Sequence, residues 1–382
     1  MPNSNNIIPT IGILGGGQLG RMLIQEGLNW NLHISVLDPD DQCPCAGIAS
    51  SFQKGSFKDY QTVLEFGRKV DILTIEIEQV NIEALYVLEK EGVKIYPQPN
   101  ILEMIKDKGL QKKFYKENNI PSSDFCLIDS KEELGDLDDS WFPCFQKARK
   151  DGYDGRGVQL LKSKSDLSLA FDVPSVIEKR VEMLTEFAII GAGDGNGNCT
   201  VFPPVDMEFH SEANLVEFLR MPAEIDSNHI RFAEQIVNSI FQNTKLQGIL
   251  AVEFFLNKEG DVLVNEMAPR PHNSGHTTIE GNYCSQFEQH LRAILGWSQG
   301  STNTIKPAVM INLLGEEGFE GPAHYQGLSE ILAYEGVFVH LYGKALTKPF
   351  RKMGHITVLG DTLEKARDLA IQIKSKIKVI SK

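Results

Sequence analysis

The stretch Gly248–His276, GILAVEFFLNKEGDVLVNEMAPRPHNSGH, decides how the chain is read. Two apolar runs, Gly248–Leu256 and Asp261–Val264, flank the turn cluster Lys258–Glu259–Gly260–Asp261, where glycine permits a positive φ, so the stretch predicts a β-hairpin. A two-residue turn at Glu259–Gly260 sets Glu253 directly opposite Glu266, with Cβ atoms about 5 Å apart. A bulge at Gly260 instead leaves the two carboxylates diagonal. In the first register Ala251, Phe255, Val262 and Val264 share the carboxylates' face. Like charges so close destabilise a sheet unless one is protonated or a cation lies between them. Hard carboxylate oxygens suit Mg²⁺, with Mn²⁺ able to take its place, and Mg²⁺ fills its shell with water and nucleotide phosphates. The pair therefore points to a metal–nucleotide. A lone Glu in a strand usually faces solvent, but Arg270, His272, Asn273, Ser274 and His276 crowd the following loop, and such polar density after a strand marks a site.

N-terminal to this hairpin the chain alternates strand and helix. Ile11–Leu14 reads as a buried strand, Gly15–Gly20 as a glycine loop, Gln18–Leu28 as an amphipathic helix and Ile34–Leu37 as a strand ending at Asp38. Val63–Val70 and Ile82–Glu91 read as helices, Ile72–Ile75 and Lys94–Tyr96 as strands, which makes a small doubly wound domain with a largely parallel sheet. GGGQLG with Asp38 about 20 residues on fits the dinucleotide fingerprint, so taken alone it would make the protein a nicotinamide-dependent oxidoreductase. The physics of the loop is more general, because glycine N–H groups at a helix N-terminus hold any phosphate. Glu76 and Glu78, at the C-terminal end of a strand, lie where such sheets bind ligands.

Near Lys106 the pattern changes. Asp107–Asn119 reads as a polar helix, and Phe142–Phe145, Lys147 and the glycine run DGYDGRG (Asp151–Gly157) lead to a returning strand, Val158–Leu161. Three glycines there allow backbone N–H groups to approach phosphate oxygens, and the loop is expected to be a nucleotide lid. Val176–Val181 (VIEKRV) is a strand carrying Glu178, and Glu186 follows in Thr185–Ile190. Gly191–Asn198 (GAGDGNGN) is turn chemistry. Ile230–Thr244 and Gln286–Leu295 read as helices, and the last segment holds strands Val309–Leu313, Val337–Leu341 and His355–Leu359 and a helix, Thr362–Ile377. Within it Lys344, Lys348, Arg351 and Lys352 form a basic loop. A solvated charge run is one reading of it, and a pocket for a substrate phosphate is the other.

At 382 residues the chain is long enough for two or three cores. Its net charge of −13 argues against a general nucleic-acid binder, so an anionic substrate must be met by a local cluster of Lys and Arg. The six cysteines lack a CxxC pair, which suggests neither a zinc ribbon nor a disulfide framework. No segment reaches the roughly 20 apolar residues of a membrane span and the N-terminus lacks a basic, apolar leader, so a cytoplasmic protein without membrane or nucleic-acid partners is expected.

The order of glycine-loop domain, Lys147 with GYDGRG, VIEKRV, Glu253 and Asn265–Glu266 resembles the ATP-grasp ligases. Within them MAPRPHNSGH (Met267–His276), GGGQLGRM (Gly15–Met22), QFEQHLRA (Gln286–Ala293) and RKMGH (Arg351–His355) closely resemble the 5-(carboxyamino)imidazole ribonucleotide synthetase family of purine biosynthesis. The similarity runs from about Ile11 to the C-terminal helix. It implies an ATP-grasp fold, mixed α/β and α+β, in four parts. These are a doubly wound glycine-loop domain over 1–106, a small lid over 107–182, a central antiparallel-sheet ATP-binding unit over 183–300 and a small C-terminal domain over 301–382.

The implied reaction uses ATP to phosphorylate bicarbonate, and the carboxyl of the resulting carboxyphosphate passes to the exocyclic amine of aminoimidazole ribonucleotide, leaving ADP and phosphate. Carried over by position, Lys108 and Lys147 hold ATP phosphates, and Gly152, Tyr153, Asp154, Gly155, Arg156 and Gly157 fold over them. Glu178, Lys179, Arg180 and Val181 line the adenine, with Glu186 on the ribose, His210 nearby and Asn265 beside Glu266. Glu253 and Glu266 hold Mg²⁺, while Arg270, Tyr153, Asp154, Arg156 and Lys352 serve the chemistry. Gln18, Glu76, His272, Asn273, Ser274, Lys344, Arg351 and Lys352 meet the ribonucleotide or carboxyphosphate. The resemblance also implies a homodimer. The chain departs from the family pattern at Lys108 and Lys348, where Arg is common, at Phe350, where Gly is common, and at Ala268, where many ATP-grasp enzymes carry a metal-binding Asn. A formate-dependent transformylase of the same fold is the related alternative, against which Pro271–His276 argues, and a non-catalytic binding module would leave the paired carboxylates and lysines without purpose.

Overall fold

The computed structural model describes residues 8–150, 157–209 and 215–382. Among these, the first sheet is parallel, with β1 (Ile11–Leu14), β2 (Ile34–Asp38), β3 (Ser51–Lys54), β4 (Ile72–Ile75) and β5 (Lys94–Tyr96) in the order β3-β2-β1-β4-β5. Parallel strands need cover on both faces, and β1, β2 and β4 are buried along their whole length. One face packs on Leu19, Met22, Leu23 and Ile24 of helix Gln18–Leu28 and on Phe287, Leu291 and Ile294 of helix Gln286–Leu295. The other packs on helices Tyr60–Gly67 and Ile82–Lys90. Each such side chain taken out of water contributes about 1.5–3 kcal/mol. Strand order reverses between β1 and β4, so the crevice at their C-terminal ends lies between the glycine loop and Glu76.

A second, antiparallel sheet is formed by β6 (Phe125–Ile128), β7 (Cys144–Ala148), β8 (Val158–Leu161) and β9 (Ser175–Lys179), in the order β6-β9-β7-β8. The central sheet is built from β10 (Met183–Asp194), β11 (Cys199–Val201), β12 (Val205–Phe209), β13 (Val216–Met221), β14 (Gln247–Asn257), β15 (Val262–Ala268) and β16 (Ala308–Leu314). It continues into the C-terminal region, whose strands are β17 (Gly321–Gln326), β18 (Val337–Leu341), β19 (Leu346–Thr347), β20 (Lys352–Leu359) and β21 (Lys378–Ser381). The path runs β15-β14-β10-β12-β13-β16-β20-β18, with β11 on β10, and β19-β17-β21 make a separate small sheet. Because β13 pairs with β16, one sheet joins the central strands to the C-terminal ones. Helix Ser227–Thr244 buries Ala233, Ile236, Val237, Ile240 and Phe241 against β10, β14 and β15, and helix Leu363–Lys376 covers β16 and β20.

Several expected boundaries move for local reasons. The helix expected over Val63–Val70 runs Tyr60–Gly67, because Asp59 caps it by accepting from the Thr62 N–H. The strand expected from His355 begins at Lys352, which draws the end of the basic loop into the sheet. VIEKRV stays extended only to Lys179. The turn expected over Gly191–Asn198 is confined to the residues after Asp194, because Gly191–Asp194 continue β10 in pairing with β11 and β14; the Asp194 carboxylate closes it by accepting from the N–H groups of Asn196 and Asn198. All six cysteines are free.

Candidate active site

The β14–β15 hairpin departs from both registers that its sequence allowed. Its loop has three residues, Lys258–Gly260, with Gly260 at φ +90° and Asn257 and Asp261 closing it. That length pairs Leu256 with Val262 and Phe254 with Val264, a register shifted by one residue from the two-residue turn. A second irregularity at Asn265 then adds a residue to β15 and shifts the pairing back, so that Glu253 faces Glu266 directly. The expected neighbours change accordingly. Val262 and Val264 turn to the opposite face and join Val252 and Phe254 in the core under helix Ser227–Thr244, while Leu263 pairs with Phe255. The extra residue is itself placed for use, since Lys147 Nζ lies 3.1 Å from Asn265 Oδ1.

Cations from two other elements close on this hairpin. Lys108 Nζ sits 2.8 Å from Glu266 Oε2. It begins the helix Lys108–Glu117, whose N-cap Asp107 accepts from the N–H groups of Gly109 and Leu110 and is clamped by both Nε and Nη2 of Arg149 at 2.8 and 2.7 Å. That clamp fixes the helix start against the end of β7. Lys147 on β7 also reaches Glu178 Oε1 of β9 at 3.1 Å. Burial would raise Glu178, but Lys147, Lys112 and Ser123 overrule it and bring the carboxyl down to about 2.

The opposed pair is electrostatically split. Burial, then the Glu266 charge, pushes Glu253 well above the usual carboxylate range. The Lys108 ammonium holds Glu266 well below it. The Glu266 side chain is 43% exposed, so it opens onto a cleft rather than into a dry core. Glu186, on β10 beside β14, is pushed up to about 7 by burial, with Lys147 opposing and Glu266 adding to the rise. Glu186, Glu253 and Glu266 thus carry less negative charge together than three free carboxylates would. Among the described residues no group of three or more His, Cys, Asp or Glu could hold a metal. The opposed carboxylates of Glu253 and Glu266 fit a cation that takes the rest of its shell from phosphates and water.

The loop after β15 leads from this cleft to the N-terminal sheet. Arg270 Nε lies 2.7 Å from Glu78 Oε1, an ion pair that links the end of β15 to the end of β4. His272 Nε2 is 3.6 Å from Glu253 Oε1. Its Nδ1 accepts from the Ser274 N–H at 3.3 Å, which leaves the ring proton on Nε2, towards Glu253. Burial, followed by the charges of Arg270 and Lys352, brings His272 down to about 3, so the ring is neutral. Gln286 holds the loop by accepting from the His272 N–H and donating to its carbonyl. Asn273 Nδ2 is buried without a hydrogen-bond partner.

The crevice of the first sheet is occupied by the chain's own carboxylates. Glu76 accepts from the N–H groups of Leu19 and Gly20, and Asp38 accepts from that of Gly16. A Cβ on Gly17 would run into the Glu76 carboxylate. The backbone donors that a pyrophosphate needs are thereby already bonded, which removes the basis of the oxidoreductase reading.

The other expected residues are distributed as follows. Gln18 opens the helix beside Glu76. The Lys179 ammonium lies over the Trp141 ring and near Asp124, and Arg180 near Glu182, so both side chains point away from Glu178; their N–H groups are taken by the Asp124 and Pro143 carbonyls. Val181 follows the end of β9. Gly157 has φ +77°, and its carbonyl accepts from Ala148. Lys344 Nζ donates to the Lys352 carbonyl, Arg351 to that of Leu346, and Lys352 acts on His272 through its charge. Gly152, Tyr153, Asp154, Gly155, Arg156 and His210 lie outside the described residues. Two participants were not anticipated. Lys112 and Ser123 both contact Glu178, and the available signal was a second lysine four residues after Lys108 on the same helix face. Glu78 was noted beside Glu76 but not with Arg270.

Comparison with known proteins finds matches along most of the chain. Residues 8–106 match the ribonucleotide synthetase preATP-grasp domain, 113–287 the ATP-grasp domain and 308–369 the phosphoribosylaminoimidazole carboxylase C-terminal domain. The N5-carboxyaminoimidazole ribonucleotide synthase of Aquifex aeolicus is 37% identical over 93% of this chain and 93% of its own length. The crystal structure of N5-carboxyaminoimidazole ribonucleotide synthetase from Thermotoga maritima superposes with a TM-score of 0.89 at 39% identity, covering 98% of this chain and 100% of that one. The Aspergillus clavatus N5-carboxyaminoimidazole synthase, in complex with ADP and 5-aminoimidazole ribonucleotide, superposes with a TM-score of 0.87 at 30% identity over 96% of this chain and 98% of that one.

Proposed function

The chain belongs to the N5-carboxyaminoimidazole ribonucleotide synthase family of ATP-grasp ligases, and from that premise we propose how its residues divide the work. The activity is the ATP-dependent carboxylation of 5-aminoimidazole ribonucleotide in purine biosynthesis, a ligation that forms a C–N bond. The observation that carries the residue-level reading is the direct opposition of Glu253 and Glu266, with Lys108 on one and His272 beside the other.

Mg²⁺, held by Glu253, Glu266 and the nucleotide's own phosphates, would supply positive charge against the transferring phosphoryl. The chain's own cations do the rest of that work. Lys108 and Lys147, now on Glu266 and Glu178, have the reach to turn to the phosphates, and Arg270 stands at the hairpin's end to take the charge on the phosphoryl oxygens. Bicarbonate is the acid phosphorylated, and carboxyphosphate is the species the site must shield from water. Adenine lies along Glu178–Val181 and the ribose on Glu186, whose raised pKa allows the carboxyl to meet hydroxyls without a full charge. The acceptor ribonucleotide lies between His272–Ser274, Gln18 and Glu76, with its phosphate towards Lys344, Arg351 and Lys352. Neutral His272, whose Nδ1 accepts from the Ser274 N–H, keeps its proton on Nε2 and orients a carboxyphosphate oxygen by donating to it. Tyr153, Asp154, Arg156 and His210 keep the roles that the family resemblance implies.

The division at 106, 182 and 300, a homodimer and a cytoplasmic location belong to the same proposal. Among the described residues no helix is long and apolar enough to cross a membrane. The deciding experiment is ADP release with Mg-ATP and bicarbonate, with and without 5-aminoimidazole ribonucleotide. Strong stimulation by the ribonucleotide, lost when bicarbonate is removed, is the expected result. Nucleotide binding without stimulation would leave the ATP site standing and overturn the acceptor.

A further inference from the structure

Lys112, Ser123 and Glu178 form a buried chain that the activity described so far does not require. The three are 3%, 6% and 4% exposed. Lys112 Nζ donates to Ser123 Oγ at 3.0 Å and lies 3.1 Å from Glu178 Oε2. Ser123 Oγ spends its single proton on the same Oε2 at 2.6 Å. The ammonium also sits 5.8 Å from the Tyr115 ring centroid and 5.9 Å from that of Phe125, between two aromatic faces that favour a cation. A lysine buried to this degree is costly to keep unless it is paired. Burial lowers the Lys112 pKa, with the Glu178 carboxylate opposing that fall.

The arrangement determines what Glu178 can offer a ligand. An ionised carboxylate has about four acceptor positions and no donor. Both positions on Oε2 are taken by Lys112 and Ser123, and Lys147 occupies one on Oε1. What remains is on Oε1 and can only accept. The 6-amino group of adenine donates a hydrogen bond, whereas the 6-oxo group of guanine accepts one. A fixed, acceptor-only carboxylate therefore pairs with the first and repels the second. With Lys147 turned to the phosphates as proposed above, losing the cation and hydroxyl behind it as well would leave a carboxyl so removed from water holding a proton, able to donate to the guanine carbonyl.

We propose that Lys112 and Ser123 are positioning residues that make Glu178 select adenine over guanine nucleotides. This rests on the assignment of Glu178 to the purine made above. The test compares ADP and GDP binding by calorimetry, and kcat/KM for ATP and GTP, in the full-length enzyme. In Lys112→Met the ADP-to-GDP affinity ratio is expected to fall about tenfold or more, the scale set by leaving a polar site mismatched. Ser123→Ala should shift it less in the same direction, and Lys112→Arg should retain the wild-type ratio. Equal weakening of both nucleotides at an unchanged ratio would overturn the proposal and leave Lys112 a purely structural residue. Should Lys112→Met not fold, Ser123→Ala decides, an unchanged ratio again overturning it. Glu178→Gln separates the two levels, because an amide can donate to guanine. If that variant loses selectivity while Lys112→Met and Ser123→Ala keep it, only the positioning role fails. If Glu178→Gln keeps the wild-type ratio, or the wild type binds GDP as tightly as ADP, the purine assignment fails as well.

Discussion

Two residues of one type, facing each other across a strand pair, carry opposite electrostatic shifts, and the difference lies in what stands behind each. Glu266 has the Lys108 ammonium, whereas Glu253 has a buried setting and a neutral histidine. Replacing Glu266 with Gln removes a metal ligand and relieves the repulsion across the pair, so Glu266→Gln should abolish turnover while circular dichroism and the thermal midpoint stay close to wild type. ATP hydrolysis at the native rate in that variant would sink the metal assignment. Lys352→Ala should raise KM for the ribonucleotide tenfold or more with a smaller effect on kcat, since a phosphate contact is made equally in ground and transition states. An unchanged KM would take the basic loop out of the site. Glu178 carries the pH dependence. Its folded pKa of about 2 lies below the ordinary 4.5, so its stabilisation is complete above about pH 4.5 and is lost as pH falls towards 2. The amount is on the order of 3 kcal/mol. Urea midpoints for the wild type should drop between pH 5 and 3 more steeply than those of Glu178→Gln, and parallel slopes would contradict the shift.

Elements deliver these residues by local chemistry. The helix that carries Lys108 and Lys112 is anchored at its first turn by Asp107 and Arg149, so the cap of one helix sets the reach of both lysines. In the first sheet a complete glycine fingerprint exists without a free anion hole, because Glu76 on the next strand fills the helix N-terminus. The basic loop holds a different kind of strain. Phe350 has φ +62°, a left-handed conformation that costs a non-glycine residue roughly 1–2 kcal/mol, at the position where the family commonly has Gly. Phe350→Gly should therefore recover up to about 1 kcal/mol, less whatever the ring contributes by packing. A rise in the chemical denaturation midpoint would confirm the strain, and a fall would show that the ring matters more.

At the scale of the whole molecule, the central sheet crosses the boundary between the ATP-binding and C-terminal regions through the β13–β16 pairing. A chain ended at residue 307 would leave the Phe218–Met221 edge of β13 without its partner and uncover the apolar side of β13 that Phe218 presents to the C-terminal core. Exposed edges of this kind recruit other chains. The truncated protein should aggregate on size-exclusion chromatography, and a soluble monomer with native nucleotide affinity would show that the C-terminal region folds independently of the sheet.

The pattern of apolar runs, glycines and turn residues was enough for the doubly wound first domain, the hairpin bearing Glu253 and Glu266, and the loop that joins Arg270 to His276, because these are short-range features with their own periodicity or turn chemistry. It also left a correct geometric question, opposed or diagonal carboxylates, whose answer depended on an irregularity at Asn265 that no local propensity marks. The half-polar strands β3 and β17 carried too weak an alternation to be read, and β6, a four-residue apolar run, was too short to stand out; all three are held by their neighbours. Only the tertiary structure decided which cation meets which carboxylate: Lys108 on Glu266, Lys147 and Lys112 on Glu178, Arg270 on Glu78. Local sequence specifies φ, ψ and the face a side chain takes, whereas the pairing of charges between elements distant in sequence is a property of how those elements pack.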